Sequence, residues 1–487
     1  MELLHSSAAF MLICAVTISA VPLENWRLPF FRIAADFEKA QGSPSLMFWD
    51  DIDSAGLFDS SLWNSCSRDG MNYWHFEPGI TGGYRYPVQN KPFFVHADIM
   101  QEALFHGFLV RQALDVDSRY RYDPLYPAHR DRFAQGIVEE ALVQYNWKYG
   151  LFRIGRQKRN WGPFPDRSLV LSSNPYSYDA VEWQVAGKVF EFRHLFAPFT
   201  YEKSARDSDN GRRLNRYFTA HSLNLIFGRW VTVGLTEAVV FTRQEGFPDL
   251  QYINPVSIYS VVNTNQEGAG NLMLGFQWNI HPFTDAVSLR GQLMFDDFQV
   301  DNDIETDREP AHWAVDAGAY WYDPVKRLGR RHLLKLEVTH VSRWMYTVTD
   351  ANADNGERYI YGGRSLGSSF NDGTGVRFEA MMLPVAAAAA SVVLQYRDRG
   401  GNTEMSRWLD SENTPGLPVE IDRPVERRFA VGAGGAYFLK DIVSLSGYGD
   451  VGWLRNKGNS ASTSWIFDPS VAIELSLHYR DFFLRLP

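Results

Sequence analysis

The sequence predicts an all-β protein, folded as a transmembrane antiparallel β-barrel of about 18 strands, with 16 as the alternative. Period-two alternation of apolar and polar residues recurs from about residue 72 to the C-terminus. Trp and Tyr recur at the ends of the apolar stripes, and polar, turn-rich stretches separate one stripe from the next. Membrane barrels combine alternating strands, aromatic girdles and loops of unequal length in this way.

The alternation defines individual strands, because successive side chains of a strand point to opposite faces. The second face carries polar, tiny or charged residues, including Arg290, Lys335 and Glu379, which a watery lumen accepts. A soluble all-β exoprotein is the alternative, although a sandwich core would exclude such charges. Clear examples are the segments 143–149, 222–228, 231–236, 271–280, 287–296, 334–338, 376–380, 429–433, 443–445 and 471–479.

The longest later apolar run, Met381 to Leu394, stays below the 18 residues that a spanning helix needs. Pro384 and Ser391 interrupt it. We therefore predict two strand ends joined by a short turn.

The N-terminal region does not alternate. Residues 1–20 are predicted to be a signal peptide, since a short polar start precedes the apolar stretch Ala8 to Ala20; a buried helix or strand is the alternative. Residues 21–70 are predicted to be a periplasmic segment with a short amphipathic helix over Phe31 to Gln41, or an unstructured leader. The barrel is predicted to occupy residues 71–487.

Charge and cysteine content restrict the partners. The formal net charge is -9, and the basic footprint of a nucleic-acid-binding protein is missing. If the signal peptide is removed, Cys66 remains without Cys14, so the sequence predicts no disulfide and no cysteine metal site. A closed barrel can be stabilised by its backbone hydrogen bonds instead.

The sequence predicts neither catalysis nor a bound cofactor or metal. It contains no nucleophile elbow, zincin motif, phosphate-binding loop or dinucleotide fingerprint. Two acidic loops, Asp301 to Asp307 and Asp350 to Gly356, imitate calcium sites, but their glycine and glutamate positions do not fit. We interpret both as solvated loop charge.

A cationic loop after the strand Leu151 to Gln157 offers the best candidate binding residues. Arginine presents a planar fork that suits carboxylates, and tryptophan presents a flat apolar face to a sugar ring. An acidic polymer would be bound if the arginines converge with the tryptophan on one cavity. In the structural alternative, the arginines pair with luminal carboxylates and the tryptophan joins the girdle. The candidates are Arg156, Arg159, Trp161 and Arg167, with Asp179 to orient them.

This loop, Gly155-Arg156-Gln157-Lys158-Arg159-Asn160-Trp161-Gly162-Pro163 and on to Asn174-Pro175, resembles the Wzi-type capsule assembly family of outer-membrane proteins. The resemblance covers roughly residues 70 to 400. Further similar segments follow in order: Tyr252-Ile253-Asn254-Pro255, Asn271-Leu272-Met273-Leu274-Gly275, Gly291-Gln292-Leu293, Asp296-Asp297-Phe298, Ser342-Arg343-Trp344, Tyr346-Thr347 and Gly363-Arg364-Ser365-Leu366-Gly367.

The resemblance implies an eighteen-stranded barrel in the bacterial outer membrane, with helical elements near its periplasmic end. It also implies a non-catalytic protein that binds capsular or exopolysaccharide at the cell surface and assists its assembly. The expected partners are this polysaccharide, outer-membrane lipid, and the export and barrel-insertion machinery. A porin or solute channel is the alternative function, because alternation alone does not distinguish a filled lumen from an open one.

Overall fold

The computed structural model describes residues 72–87, 92–164, 167–199, 215–243, 248–265, 270–282, 284, 286–297, 312–324, 331–349, 356–385, 388–408, 424–439, 443–478 and 482–486. The predicted signal peptide, the segment 21–70 with its helix, and both acidic loops lie outside the described residues, apart from Gly356.

Eighteen antiparallel strands close into one barrel, in agreement with the predicted number. Each pairs with the next along the chain, and the first pairs with the last. They are β1 (Asn72–Tyr86), β2 (Phe93–Phe105), β3 (Phe108–Asp117), β4 (Gln135–Trp147), β5 (Gly150–Gln157), β6 (Tyr178–Ala186), β7 (Phe190–Pro198), β8 (Asn215–Phe227), β9 (Val231–Arg243), β10 (Gly270–Ile280), β11 (Val287–Asp297), β12 (His312–Tyr322), β13 (Arg331–Val341), β17 (Gly373–Val385), β18 (Ala388–Arg399), β20 (Glu426–Leu439), β21 (Val443–Arg455) and β22 (Ile466–His478).

Shorter elements complete the description. The strand β23 (Phe482–Leu486) continues the last ladder, since it pairs with the first residues of β1. Two-residue strands and short helices lie in the loops: β14 (Val348–Thr349), β15 (Ile360–Tyr361), β16 (Arg364–Ser365), β19 (Arg407–Trp408), α1 (Leu250–Ile253), α2 (Tyr259–Asn265) and the 3-10 turns Tyr120–Tyr122 and Lys457–Asn459. Among the described residues, no helix is both long and apolar enough for a membrane span.

The two ends of the barrel differ in their connections. At one end, turns of two or three residues join β2 to β3, β4 to β5, β6 to β7 and β8 to β9. At the other end, most connections are longer, such as the stretches 118–134, 158–177 and 342–372. Outer-membrane barrels carry their tight turns on the periplasmic side and their long loops outside. Asn72 and Leu486 pair at the tight-turn end, which is therefore the periplasmic end.

The outer face of the barrel is apolar and the inner face polar, as the alternation predicts. On β2, Val95 and Ile99 are exposed to the outside, whereas His96, Asp98 and Glu102 are buried inside. Exposed aromatic residues stand near both ends of the strands: Tyr86, Trp453 and Trp465 at the loop end, and Trp147, Tyr149, Trp230, Trp321 and Tyr437 at the turn end. This is the belt-and-girdle arrangement of an outer-membrane β-barrel.

The apolar run from Met381 to Leu394 forms two strand ends, as predicted. The strand β17 ends at Val385 and β18 begins at Ala388, and the two pair antiparallel.

We expect Ile99→Arg to destabilise the membrane-inserted barrel by roughly 2–4 kcal/mol, because Ile99 faces outward near the middle of β2 and arginine is costly at that depth. Urea unfolding of the barrel in liposomes measures this change. Ser460→Arg, in the exposed loop between β21 and β22, is the matched control and should leave the free energy of unfolding unchanged. Equal effects of the two substitutions would show that the face of β2 assigned to lipid is not in lipid.

Candidate functional site

Two long loops fold into the barrel rather than away from it. We call them the inner loops: residues 158–164 and 167–177, between β5 and β6, and residues 342–349 and 356–372, between β13 and β17. They are joined to each other, since the amide of Ser172 donates to the carbonyl of Leu366 at 2.7 Å and the side chain of Asn174 donates to the carbonyl of Ser365 at 2.9 Å. A single bridge between Trp161 and Leu171 holds the first inner loop against itself.

The first inner loop reaches at least halfway down the lumen. Gln292 is the central residue of β11 and faces inward. Its side chain donates to the carbonyl of Trp161 at 3.1 Å and accepts the amide of Leu169 at 2.9 Å. Arg290, nearer the periplasmic end, lies 3.5 Å from the carbonyl of Pro163. The lumen therefore contains protein at mid-height.

An apolar core lies between the inner loops and the part of the wall formed by β6 to β13. Trp161 is 1% exposed, so it belongs to this core and not to the girdle. The Tyr346 hydroxyl donates to the carbonyl of Leu169 at 2.6 Å, and the Tyr359 hydroxyl donates to the carbonyl of Val170 at 2.7 Å. Other members of the core come from the wall: Tyr178, Leu195, Phe218, Val240, Met273, Met294 and Val341.

Arg159 joins a buried charge cluster on β6. Its guanidinium lies 3.3 Å from the carboxylate of Glu182, which also has Arg153 at 3.5 Å and Arg193 at 3.6 Å. The Arg193 guanidinium lies over the ring of Trp161, 5.4 Å from its centroid. Arg159 and Trp161 are thus brought together, because Glu182 contacts Arg159 and its partner Arg193 contacts Trp161.

Arg167 crosses the lumen to the opposite wall. Its Nε donates to Asp316 of β12 at 2.6 Å, and its Nη1 lies 3.5 Å from Glu337 of β13. Its guanidinium also lies over the ring of Phe164, 4.4 Å from the centroid. Both carboxylates are almost completely buried. Arg167 therefore holds the first inner loop against the wall at β12 and β13.

Arg156 and Asp179 lie elsewhere. They are cross-strand neighbours on β5 and β6, point to the outer face of the barrel near its loop end, and pair at 2.6 Å. Their side chains are 35% and 59% exposed. Of the predicted set, the structure places Arg159, Trp161 and Arg167 around the first inner loop. Arg156 and Asp179 form a separate external pair, so the three arginines do not converge on one cavity.

A histidine and two carboxylates lie together inside the wall. Ligand atoms of His96, Asp115 and Asp117 fall within 4.8 Å of one another. Protein groups already engage the carboxylates, because Arg119 donates to Asp117 and the Tyr120 hydroxyl donates to Asp115 at 2.9 Å. We therefore assign no metal to this group.

A cationic, aromatic loop at the extracellular end was not singled out by the sequence analysis. It runs from Arg119 to Phe133, between β3 and β4, and we call it the rim loop. Its exposed cationic and aromatic members are Arg121, Tyr122, His129, Arg130, Arg132 and Phe133, and the acidic Asp131 is exposed among them. The density of arginine and tyrosine in this stretch is the signal that could have identified it.

The rim loop rests on both inner loops. Asp123 accepts from the Tyr176 hydroxyl of the first inner loop and from Arg364 of the second, the latter at 2.5 Å. Burial, together with the bond to Asp123, raises the pKa of Tyr176, so this hydroxyl remains a donor. Tyr120 and Tyr126 stack with ring centroids 5.3 Å apart. The base of the rim loop is thus fixed while its outer residues remain in solvent.

Comparison with known proteins identifies the fold. No protein-family model matches the chain, and no curated protein sequence matches it. Among solved structures it is similar to Wzi of Escherichia coli, described as an outer-membrane protein involved in group 1 capsule assembly and as a carbohydrate-binding β-barrel. The TM-score is 0.56 and the identity 12%, over 97% of each chain.

Two porin-like barrels show lower similarity. OccAB3 of Acinetobacter baumannii has a TM-score of 0.48 at 8% identity, over 84% of this chain and 99% of that one. OprD of Pseudomonas aeruginosa has a TM-score of 0.45 at 10% identity, over 85% of this chain and 96% of that one. The comparisons thus establish a Wzi-like fold.

We expect Arg167→Ala to release the first inner loop, because Asp316 and Glu337 lose their shared guanidinium while they remain buried. Removal of one partner from a buried pair costs about 3 kcal/mol. Trypsin should then cut the folded barrel after Lys158 and Arg159, as read by mass spectrometry.

Arg156→Ala is the matched control, since it removes an arginine of the same motif from an exposed pair. It should leave the loop as resistant as in the unaltered protein. Resistance of Arg167→Ala to trypsin, at an unchanged fraction of folded protein, would show that the ion pairs of Arg167 are not needed to hold the loop.

Proposed function

We propose that this chain is a non-catalytic outer-membrane barrel that binds surface polysaccharide and assists capsule or exopolysaccharide assembly. The observation that carries the proposal is the pair of inner loops, which occupy the lumen and support an exposed cationic loop above it. A general diffusion channel needs a free lumen of substantial width. A lumen obstructed by folded loops instead suits a barrel that acts as a rigid platform.

The rim loop supplies the chemistry for the ligand. Arginine forks suit the carboxylates of an acidic polymer, and exposed aromatic faces suit the apolar side of a sugar ring. Arg130, Arg132 and Phe133 are exposed to solvent at its C-terminal end, and the anchored Asp123 limits the movement of its base. Binding residues are often loop residues that a rigid scaffold positions in this way.

The predicted site residues take different roles in this proposal. Arg159, Trp161 and Arg167 act as positioning residues, because their contacts are with the wall and the inner loops. Arg156 and Asp179 form an exposed pair on the outer face, and they can contact a polymer only outside the lumen. The ligand class is taken from the description of Wzi, whose fold this chain shares.

The proposal predicts that Arg130→Ala/Arg132→Ala weakens the binding of an acidic polysaccharide. Two solvent-exposed charge contacts together contribute about 1.4 kcal/mol, which corresponds to about tenfold in Kd. Biolayer interferometry of the detergent-purified full chain measures the change, with alginate as the acidic polymer and dextran as a neutral one.

The matched control is Lys148→Ala/Lys188→Ala, which removes two exposed charges from tight turns at the periplasmic end. It should bind alginate as the unaltered protein does. Equal loss in both double variants would indicate a general charge effect. Either that result or a lack of alginate binding by the unaltered protein would refute the rim loop as the binding surface.

A further inference from the structure

Residues 248–265, between β9 and β10, fold back over the outside of the barrel. Val239 and Phe241 occupy outward-facing positions of β9, yet both are fully buried. They pack with Tyr252 of α1 and Tyr259 of α2, and with Tyr217 of β8. On the same strands, the outward residues nearer the periplasm, such as Leu235, remain exposed. We call residues 248–265 the outer flap.

The outer flap lies at the height of the apolar belt. It contacts Glu237, the central residue of β9, which faces outward opposite His221 of β8 and Leu274 of β10. A strand rises about 3.3 Å per residue. A strand of this length, tilted by about 40°, spans slightly more than the belt of about 25 Å. The centre of β9 is therefore inside the belt, and the flap covers the outer-leaflet half.

The flap covers polar groups that would otherwise face lipid. Glu237 accepts the amide of Tyr259 at 2.8 Å and both the amide and the hydroxyl of Ser260, at 3.3 and 2.8 Å. His221 lies 3.1 Å from the same carboxylate, and the hydroxyls of Thr219 and Tyr259 are 2.9 Å apart. This network holds the flap to the wall, and residue Glu237 is only 8% exposed.

The opposite side of the flap carries four exposed apolar residues beside the uncharged polar residues Gln251, Asn254, Thr264 and Asn265, which are also exposed. Leu250, Val256, Ile258 and Val261 are 69%, 79%, 60% and 53% exposed. Asp249 is the only charged residue between 248 and 265, and it pairs with Arg243 at 3.0 Å. These side chains continue the exposed apolar surface of Leu223, Leu235 and Leu274.

Most backbone amides of the flap before α2 have hydrogen-bond partners within the flap. In the stretch before α2, the amides of Tyr252, Ile253, Asn254 and Ser257 donate to nearby carbonyls, and those of Gln251 and Val256 donate to the side chains of Asp249 and Asn254. Pro255 has no amide hydrogen to satisfy. Irregular backbone is tolerated at membrane depth only when its polar groups find partners within the protein.

We infer that the outer flap is embedded in the membrane, and that its exposed apolar face binds the acyl chains of the outer leaflet. Continuity with the lipid-facing belt and the internal hydrogen bonds of these amides both favour lipid as the occupant. The flap replaces part of the barrel's lipid-facing surface, and the contact of Glu237 with Tyr259 and Ser260 holds it there. This inference is independent of the proposed polysaccharide ligand.

Electron paramagnetic resonance on single nitroxide labels tests the inference. The labels are placed at Val256→Cys and Val261→Cys in the full chain, with Cys14 and Cys66 replaced by serine, in phosphatidylcholine liposomes. Leu235→Cys is the belt control and Ser460→Cys the extracellular control. We expect both flap labels to match the belt control, with high collision rates with oxygen and low rates with a water-soluble nickel chelate.

Two results would overturn the inference. High accessibility to the nickel chelate, as at the extracellular control, would place the flap in water. Low accessibility to both reagents would mean that protein covers the flap, and concentration-dependent dipolar broadening would identify that protein as a second copy of the chain.

The variant Glu237→Ala tests whether Glu237 anchors the flap, which is a separate question from where the flap lies. In this variant the label at position 256 should become more mobile and more accessible to the chelate, while the gel-mobility shift of the folded barrel in cold SDS persists. An unchanged label in a folded Glu237→Ala barrel would refute the anchoring role of Glu237.

Discussion

Buried charge in the lumen is the constraint on which the rest of this structure depends. The wall carries Glu182, Asp316 and Glu337 where water is excluded, and the first inner loop supplies Arg159 and Arg167. Desolvation offsets much of the attraction within such pairs, so their net contribution to stability is modest. The cost of separating them is large, however. The pairs therefore fix the place of the loop more than they stabilise the barrel.

The position of the rim loop follows from that of the inner loops. Tyr176 and Arg364 each belong to an inner loop, and both bind Asp123 of the rim loop. If the inner loops left the lumen, this base would be lost, and the exposed arginines would have no fixed spacing. The obstruction of the lumen by the inner loops and the display of a cationic surface are thus two consequences of one set of contacts.

The sequence predicted the barrel because alternation is local and is repeated along the chain. It did not predict the inner loops, because these depend on contacts between residues far apart in the chain. Arg167 pairs with Asp316, which is 149 residues away, and a local sequence pattern carries no information about such a contact. The alternation along β5 could have separated Arg156 from the other candidate arginines. Arg153 and Gln157 face the lumen, and Arg156 lies one position before Gln157, so its side chain faces outward. Glu237 interrupts the apolar outer face of β9, and its contacts with α2 and with His221 of β8 explain it.

The central claim is that the inner loops obstruct the lumen, and the conductance of the unaltered full chain in planar lipid bilayers tests it most directly. With the inner loops pinned as described, an inserted barrel should show no large stable current steps, with insertion verified by the mobility shift of the recovered protein in cold SDS. Large, stable and uniform steps from the inserted barrel would contradict the claim, because they require an open passage where the structure places Trp161 and Arg167.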